Sequence, residues 1–395
     1  MGETMKELVF GFIGGTALLM YGVDKMGEGL EKAAGPFMKR LLSVLTGRVW
    51  SAFLVGTLLT ALVQSSTAIT VLTVGFVNAG LMALPQAVGV IYGANIGTTI
   101  TAQLMAFSFN FKLTDIALPV LGLGFAINYF ARKEWIKSLG DALFGFGVMF
   151  LGLKLLNSGV PYMENSETMK LFFQNYASIP LIGVLLGAVA TAMVHSSAAT
   201  VGLVMVLALA GLVDLQTSIC IMLGDNIGTC ITAQLASLKG NIHARRTAWA
   251  HTLYNIFGVI IVLLILPLFV DFIEHITVTF QPSADISAYI ANSHTLFNVL
   301  SAVVFLPINK YYVKFLEHVV RGKEKEAGIS IHLDKLLLDT PLAAIKASVS
   351  EIQRAAEISK GMLNMVMDGF FNNNLKLLEK VEEQEEVVNQ LQKDV

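Results

Sequence analysis

The strongest constraint on this chain is that one of its stretches occurs twice. Thr60 to Leu104 reads TALVQSSTAITVLTVGFVNAGLMALPQAVGVIYGANIGTTITAQL, and Thr191 to Leu235 reads TAMVHSSAATVGLVMVLALAGLVDLQTSICIMLGDNIGTCITAQL. The offset is constant (191 − 60 = 235 − 104 = 131), so the copies align without a gap, and 21 of the 45 positions are identical. The identities gather at Ser65-Ser66 with Ser196-Ser197, at Gly80-Leu81 with Gly211-Leu212, and in the GxNIGTxITAQL blocks from Gly93 and Gly224. Self-similarity of this kind marks an internal duplication, so the fold must offer two equivalent environments for one unit.

Those environments lie in a membrane. The chain is 54% hydrophobic and 14% charged, against about 25% charged residues in a soluble domain. Val49–Val63 and Phe257–Val270 carry no charge at all. Only helices and closed barrels satisfy their backbone in lipid, and the period-two alternation of a barrel is absent. The expected class is therefore an all-α polytopic membrane protein. A net charge of −2 implies no nucleic-acid partner. Cys220 and Cys230 have no metal-type spacing and read as small apolar residues. The charged N-terminus (Glu3, Lys6, Glu7) has no small-residue cleavage site, so Leu8–Val23 reads as a retained first span.

Taken in order, residues 24–48 form a basic amphipathic stretch (Lys25, Lys32, Lys39, Arg40, Arg48). Val49–Val63 and Ala68–Leu84 are each short of the roughly 20 residues that a crossing needs, and a polar QSST tetrad separates them. A re-entrant hairpin with its tip at Gln64–Thr67 is the economical arrangement. Gln86–Phe107 then crosses with a polar break at Gly93–Thr99, and Leu113–Ala131 returns. The second unit repeats this: Leu139–Leu156 crosses, Pro180–Val194 and Ala198–Val213 make a hairpin around His195-Ser196-Ser197, Ser218–Leu238 crosses, and Ala248–Val270 follows. An acidic loop (Asp271, Glu274, Asp285) leads to a last span, Ala291–Phe315. The basic loops 24–48, 132–137, 239–246 and 314–325 fall on one side, and the basic-poor loops 108–112, 157–178 and 271–290 on the other. By the positive-inside rule this places the N-terminus outside and the tail in the cytoplasm. Each unit has three crossings, an odd number, so the second unit enters inverted, and two inverted repeats with broken helices meeting at the midplane mark secondary transporters. The expected divisions are 1–134 and 135–272 for the two repeat units, 273–325 for the final span and basic linker, and 326–395 for a cytoplasmic helical region.

A helix that starts inside the membrane presents unpaired N–H groups and a positive dipole end. Ser65, Ser66, Thr67, Ser196 and Ser197 stand where such starts are expected, and their hydroxyls would complete an anion cradle without arginine. The preceding half-helices end at Gln64 and His195 with free carbonyls that suit a small hard cation. Serines in spans also simply bond back to their helix or pack as small residues. In the blocks Gly93–Thr101 and Gly224–Thr232, the glycines either loosen the helix and free carbonyls or let helices pack closely. Asp225, opposite Ala94 in the first copy, is an acid at membrane depth and so a candidate cation or proton ligand; a protonated, hydrogen-bonded structural Asp is the alternative. His251-Thr-Leu-Tyr-Asn255 and His294-Thr-Leu-Phe-Asn298 form a smaller repeated motif that either serves the site or only caps and pairs helices. There is no GxSxG, HExxH or Cys/His ligand set, so enzyme chemistry is not expected, and an intramembrane serine hydrolase is a distant third possibility.

At these residues the chain resembles the type II sodium–phosphate cotransporter family in its bacterial branch. Gln64-Ser65-Ser66-Thr67 and His195-Ser196-Ser197-Ala198 resemble the family's paired QSSS motifs, Gly93–Thr98 and Gly224–Thr229 its GxNIGT blocks, and Arg245-Arg246 through His251 and Asn255, then His294 to Asn298, its basic-then-HxxFN segment. The resemblance covers residues 8 to about 316. It implies sodium-coupled uptake of inorganic phosphate across the bacterial cytoplasmic membrane, with sodium as a co-transported ion rather than a cofactor. The phosphate ligands it points to are Ser65, Ser66, Thr67, Ser196, Ser197, Asn95 and Asn226. The sodium ligands are Gln64, His195, Thr98, Thr99, Thr229, Asp225, Gln103 and Gln234, with His251, Asn255 and Asn298 in support. Two departures, His195 for the family's Gln and Asp225 for a small residue, leave sodium and proton coupling both open. Leu333–Val395 resembles the first helices of a PhoU-type regulatory domain, expected to be truncated because it stops in a charged helix; a coiled-coil oligomerisation tail is the alternative. A homodimer and a cytoplasmic partner for the tail complete the expectations. The rival functions are a sodium- or proton-coupled carrier of another oxyanion or dicarboxylate, and a membrane-anchored phosphate-sensing regulator.

Overall fold

The computed structural model describes residues 2–34, 48–164, 179–238, 240–322, 341–372 and 374–394. Expectations that fall on Lys39 and Arg40, on most of the 157–178 loop, on Lys239, Lys323 and Lys325, and on the approach from Leu333 to the tail lie outside the described residues. The described regular elements are helical. Five of them are long and apolar enough to cross a membrane, within Leu113–Phe130, Glu134–Gly159, Leu215–Ser237, Ile242–Leu264 and Ile286–Phe305.

The duplication is visible in the backbone. Helix α1 runs Gly2–Ala33, α2 Val49–Val63, α3 Ser66–Asn78 and α4 Leu84–Asn110. After a 3-10 turn at Leu113–Ile116 come α5 (Ala117–Phe130), α6 (Glu134–Glu164), α7 (Pro180–Val194), α8 (Ser197–Leu209), α9 (Leu215–Gly228) and α10 (Ile231–Ser237). The bounds of α2 and α3 recur in α7 and α8 at the sequence offset (180 − 49 = 194 − 63 = 197 − 66 = 209 − 78 = 131), and α9 starts 131 residues after α4. Four of the left-handed residues also fall in two such pairs, Gln64 (φ 58°) with His195 (φ 55°) and Gly80 (φ 66°) with Gly211 (φ 69°). At about 1.5 Å per residue, helices of 15 and 13 residues span only about 20 Å each, too little for a bilayer core of about 30 Å. The two helices of each pair are joined through a left-handed residue, Gln64 or His195.

Glycine sets how closely the helices approach. A methyl group on Gly93 or Gly224 would run into the carbonyl of Phe53 or Val184, and one on Gly97 would lie 2.6 Å from Thr57 O. The GxNIG glycines therefore seat α4 on α2 and α9 on α7. Helix α4 is continuous through Gly93–Thr99, so the expected break there does not occur. In the second copy the helix is interrupted at Thr229-Cys230, where the side chains bond back to Asp225 O (3.0 Å) and Asn226 O (3.3 Å) and the ladder tightens to Cys230 N–Ile227 O (3.1 Å); such back-bonds compete with the helix. Helices α1 and α6 pack through Gly15 against Leu156, Gly22 against Met149 and Gly29 against Ala142. Each step of seven up one helix is a step of seven down the other, so they are antiparallel.

Two expected spans end early. Helix α11 (Ile242–Leu264) stops before Pro267, and the expected acidic loop is a separate amphipathic helix, α12 (Leu266–Phe280). Proline disfavours helical backbone in the residue before it and supplies no N–H. Helix α13 (Ile286–Phe305) ends before Pro307, and α14 (Asn309–Val319) is amphipathic. The expected basic loop around Arg245-Arg246 is the first turn of α11, capped by Asn241, whose side chain accepts from Ala244 N (2.9 Å). Arg246 there donates to Val320 O (3.1 Å) at the end of α14. Likewise α1 continues without a break from the first span to Ala33. Large apolar residues are left exposed on the outer helices, such as Leu118, Phe125 and Phe130 on α5 and Leu181, Leu185 and Met193 on α7. In the tail, α15 (Pro341–Phe371) packs with α16 (Leu375–Asp394), and Ala347 joins the cluster of Phe76, Val77 and Met82. Ile345, Val349 and Ile352, the apolar stripe of that helix, are exposed.

Candidate functional site

The two hairpin tips meet. One small cavity is lined by three pairs of residues at the repeat offset, Ser66 with Ser197, Asn95 with Asn226, and Thr98 with Thr229, and by two residues without a mirror there, Asp225 and His294. A water centre can occupy only about 10 Å³ of it, room for about one water, so the walls are drawn together in this conformation.

The serine pairs divide by role. Ser65 Oγ accepts from Ala68 N (3.2 Å) and Ser196 Oγ from Ala199 N (3.3 Å), so the first serine of each pair is the N-cap of the inner half-helix. An N-cap residue has extended backbone and covers one of the unpaired N–H groups, and both serines do (φ −139° and −142°). The second serine, Ser66 or Ser197, is then the first helical residue and faces the cavity. Two helix N-termini thus point their remaining N–H groups and their dipoles at one place. Thr67, half-buried, is not among the lining residues.

Asn95 is held from both ends. Its Nδ2 donates to Asn255 Oδ1 (2.9 Å), and its Oδ1 accepts from His251 Nε2 (3.1 Å). With Asn95 Oδ1 the acceptor, His251 carries its proton on Nε2. His251 and Asn255 therefore form a clamp on the site. Asn226 Nδ2 donates to Met222 O (3.0 Å) within its own helix. Asp225, 1% exposed, accepts at Oδ1 from Thr191 Oγ1 (2.7 Å), which lies 2.8 Å from Thr200 Oγ1. Its Oδ2 has no partner.

Other expected ligands stand elsewhere. Gln64 is buried, accepts at Oε1 from Thr101 Oγ1 (2.7 Å) and donates to Ala61 O, whereas His195 is exposed. Thr99 bonds back to Ile96 O (2.8 Å). Gln103 ties α4 to Thr295 Oγ1 of α13 (2.9 Å), and Gln234 ties α10 to Thr252 Oγ1 of α11 (2.7 Å). These glutamines brace helices around the cavity instead of lining it. Asn298 donates to His294 O (2.9 Å). Sequence reasoning placed His294 in a motif but not in the site; its free ring is a product of tertiary packing that spacing does not reveal. Cys220 and Cys230 are buried and form no disulfide, but Cys230 is more than a small apolar residue, since its Sγ bonds to Asn226 O (3.3 Å) and accepts from Asn255 Nδ2 (3.2 Å).

Across residues 18–158 and 163–279 the chain matches the model of the Na+/Pi-cotransporter family. The chain belongs to that family. Residues 352–395 match the PhoU domain. Among curated relatives, "Uncharacterized protein YqeW" of Bacillus subtilis (strain 168) is 30% identical over 66% of this chain and 85% of its own length. "Putative inorganic phosphate export protein YjbB" of Escherichia coli (strain K12) is 28% identical over 89% of this chain but 64% of its own length. "Sodium-dependent phosphate transport protein 2A" of Rattus norvegicus is 27% identical over 34% of this chain and 22% of its own. No solved structure matches the chain. The family is one of phosphate transporters, and the chain's duplicated motifs supply all of the cavity's lining residues but His294.

Proposed function

We propose that this protein carries inorganic phosphate into the cell together with sodium, by alternating access at the cavity between the two hairpin tips. One observation carries this: the mirrored helix starts at Ser66 and Ser197 line one cavity with an unpartnered carboxylate oxygen of Asp225. Helix N-termini and hydroxyls suit an oxyanion. A carboxylate buried beside that anion stays ionised only with compensating positive charge, and the lining includes no lysine or arginine among the described residues. Co-bound sodium meets the need, with Asp225, Thr229, Thr98 and the Asn226 oxygen as its ligands and Ser66, Ser197 and Asn95 for phosphate. The antiparallel packing of α1 on α6, whose bounds nearly repeat at the offset (164 − 33 = 131, 134 − 2 = 132), supports units of opposite orientation in the bilayer, and the placement of the basic residues favours the N-terminus outside and the tail in the cytoplasm.

Direction follows from stoichiometry. Bringing in a dianion against 100 mV costs about 4.6 kcal/mol, so two sodium ions only cancel the field and a third makes entry favourable. The name of the Escherichia coli relative supports a second reading, phosphate export, which the same field would assist without any cation. Purified protein in liposomes separates them. Uptake of labelled phosphate should rise steeply with external sodium and collapse when the sodium gradient is removed. Phosphate movement indifferent to sodium, and driven only by an interior-negative potential from inside to outside, would replace uptake by export.

A further inference from the structure

We propose that His294 is a direct ligand of the oxyanion, donating a ring N–H to a phosphate oxygen between the two hairpin tips. This rests on the phosphate assignment above and adds to it a contact from a third element. His294 sits on α13, is 1% exposed and lines the cavity with Ser66, Ser197 and Asp225. Neither of its ring nitrogens has a hydrogen-bond partner. An imidazole always carries at least one N–H, and a buried donor left unmade is costly.

The cavity also holds a stranded acceptor, Asp225 Oδ2, and the two do not bond to each other. An unpaired donor and an unpaired acceptor in one small space are what a ligand of mixed character resolves: an oxyanion oxygen facing His294, and a cation or an acidic P–OH facing Asp225. The other side-chain amides of the lining are already engaged, Asn95 Nδ2 with Asn255 Oδ1 and Asn226 Nδ2 with Met222 O. Among the nitrogen-bearing side chains of the described lining, His294 alone has no nitrogen in a hydrogen bond.

The chain supplies its own comparison. His251 opens the same His-Thr-Leu-aromatic-Asn motif, and its Nε2 is engaged with Asn95 Oδ1 at 3.1 Å. In the second copy Asn298 donates to His294 O (2.9 Å) while its Oδ1 stays unpaired, and the ring of His294 is left for the cavity. One copy of the motif clamps the site; the other faces what enters it. Because α13 packs on α4, α8 and α9, His294 gives a tetrahedral anion a third point of contact beside the two helix starts.

The test is phosphate binding to the purified full chain in detergent with sodium, by calorimetry, for the wild type and for H294L, H294N and H294Q. Leucine removes the donor, while the Asn and Gln amides place a donor near Nδ1 and Nε2 respectively. H294L should bind inorganic phosphate about tenfold more weakly or worse, as expected for loss of a hydrogen bond to a charged group. One amide variant should stay within about threefold of wild type, and the sodium-induced rise in melting temperature without phosphate should persist in H294L. Wild-type affinity in H294L, or loss of phosphate and sodium responses together, would overturn the role of His294 while leaving phosphate as substrate. Should H294L fail to fold, the amide pair decides: one tight and one weak supports the contact, and equal affinities overturn it. A wild-type protein that binds no phosphate would instead overturn the functional assignment itself.

Discussion

The two halves of the site share a backbone and differ in chemistry. In the first half Gln64 is buried and bonded to Thr101, α4 is continuous, position 94 is alanine and the Thr60 hydroxyl is buried without a partner. In the second half the equivalent turn residue, His195, is exposed, the helix is pinched at Thr229-Cys230, position 225 is aspartate and Thr191, the mirror of Thr60, bonds that aspartate. The serine-capped helix starts and the glycines that seat the helices stayed alike, which is where an anion sitting across both halves needs like geometry. Charge did not stay alike. A single carboxylate on one side makes the pocket electrically lopsided, and a cation needs a carboxylate on one side only.

The strongest test of this contrast is Asp225→Asn, which keeps the acceptor for Thr191 and removes the charge. Sodium-driven phosphate uptake in proteoliposomes should fall by about tenfold or more, as for loss of a buried charged contact, and the sodium cooperativity should drop by about one ion. Moving the acid across, Asp225→Ala with Ala94→Asp, offers the unpartnered Thr60 hydroxyl the bond that Thr191 makes now and should recover part of the uptake. Undiminished sodium cooperativity in Asp225→Asn would mean the charge has no part in coupling.

A second, smaller effect separates the two serines of each tip. Ser66→Ala and Ser197→Ala should each raise the KM for phosphate about tenfold, and by similar factors because the two lie at mirrored positions. Ser65→Ala and Ser196→Ala should leave KM within about twofold and lower stability by about 1 kcal/mol, the usual loss of an N-cap, read by thermal melting. Capping-serine variants whose KM rises like that of Ser66→Ala would erase the division of labour.

Much of this could be read from the residues. The hairpin tips were visible because a short polar segment, Gln64–Thr67 and then His195–Ser197, interrupts an otherwise apolar run twice at one register. Span ends were less visible, since hydropathy averages over Pro267 and Pro307 even though each proline marks the stop. The GxNIG glycines carried two meanings that sequence alone did not separate, and close contact of Gly93 and Gly224 with neighbouring carbonyls favours packing. Which of two motifs that differ only at Tyr254 and Phe297 keeps its histidine free depends on what α4 presents to α11 and α13. That is a tertiary fact.

The least perturbing change sharpens the contrast most. Gln64 and His195 occupy the same left-handed turn (φ 58° and 55°), so exchanging one residue type for the other costs the same in backbone terms, and any difference must come from side-chain surroundings. Gln64→His removes the acceptor for Thr101 Oγ1 in a buried place and should lower stability by about 1–3 kcal/mol. His195→Gln acts on an exposed side chain and should change stability by less than about 0.5 kcal/mol and uptake by less than about twofold. Melting curves and sodium titrations of the two variants side by side decide the matter. If His195→Gln weakened sodium activation while Gln64→His did not, the exposed turn would belong to the coupling path and the buried one would be scaffold, the reverse of what their surroundings support.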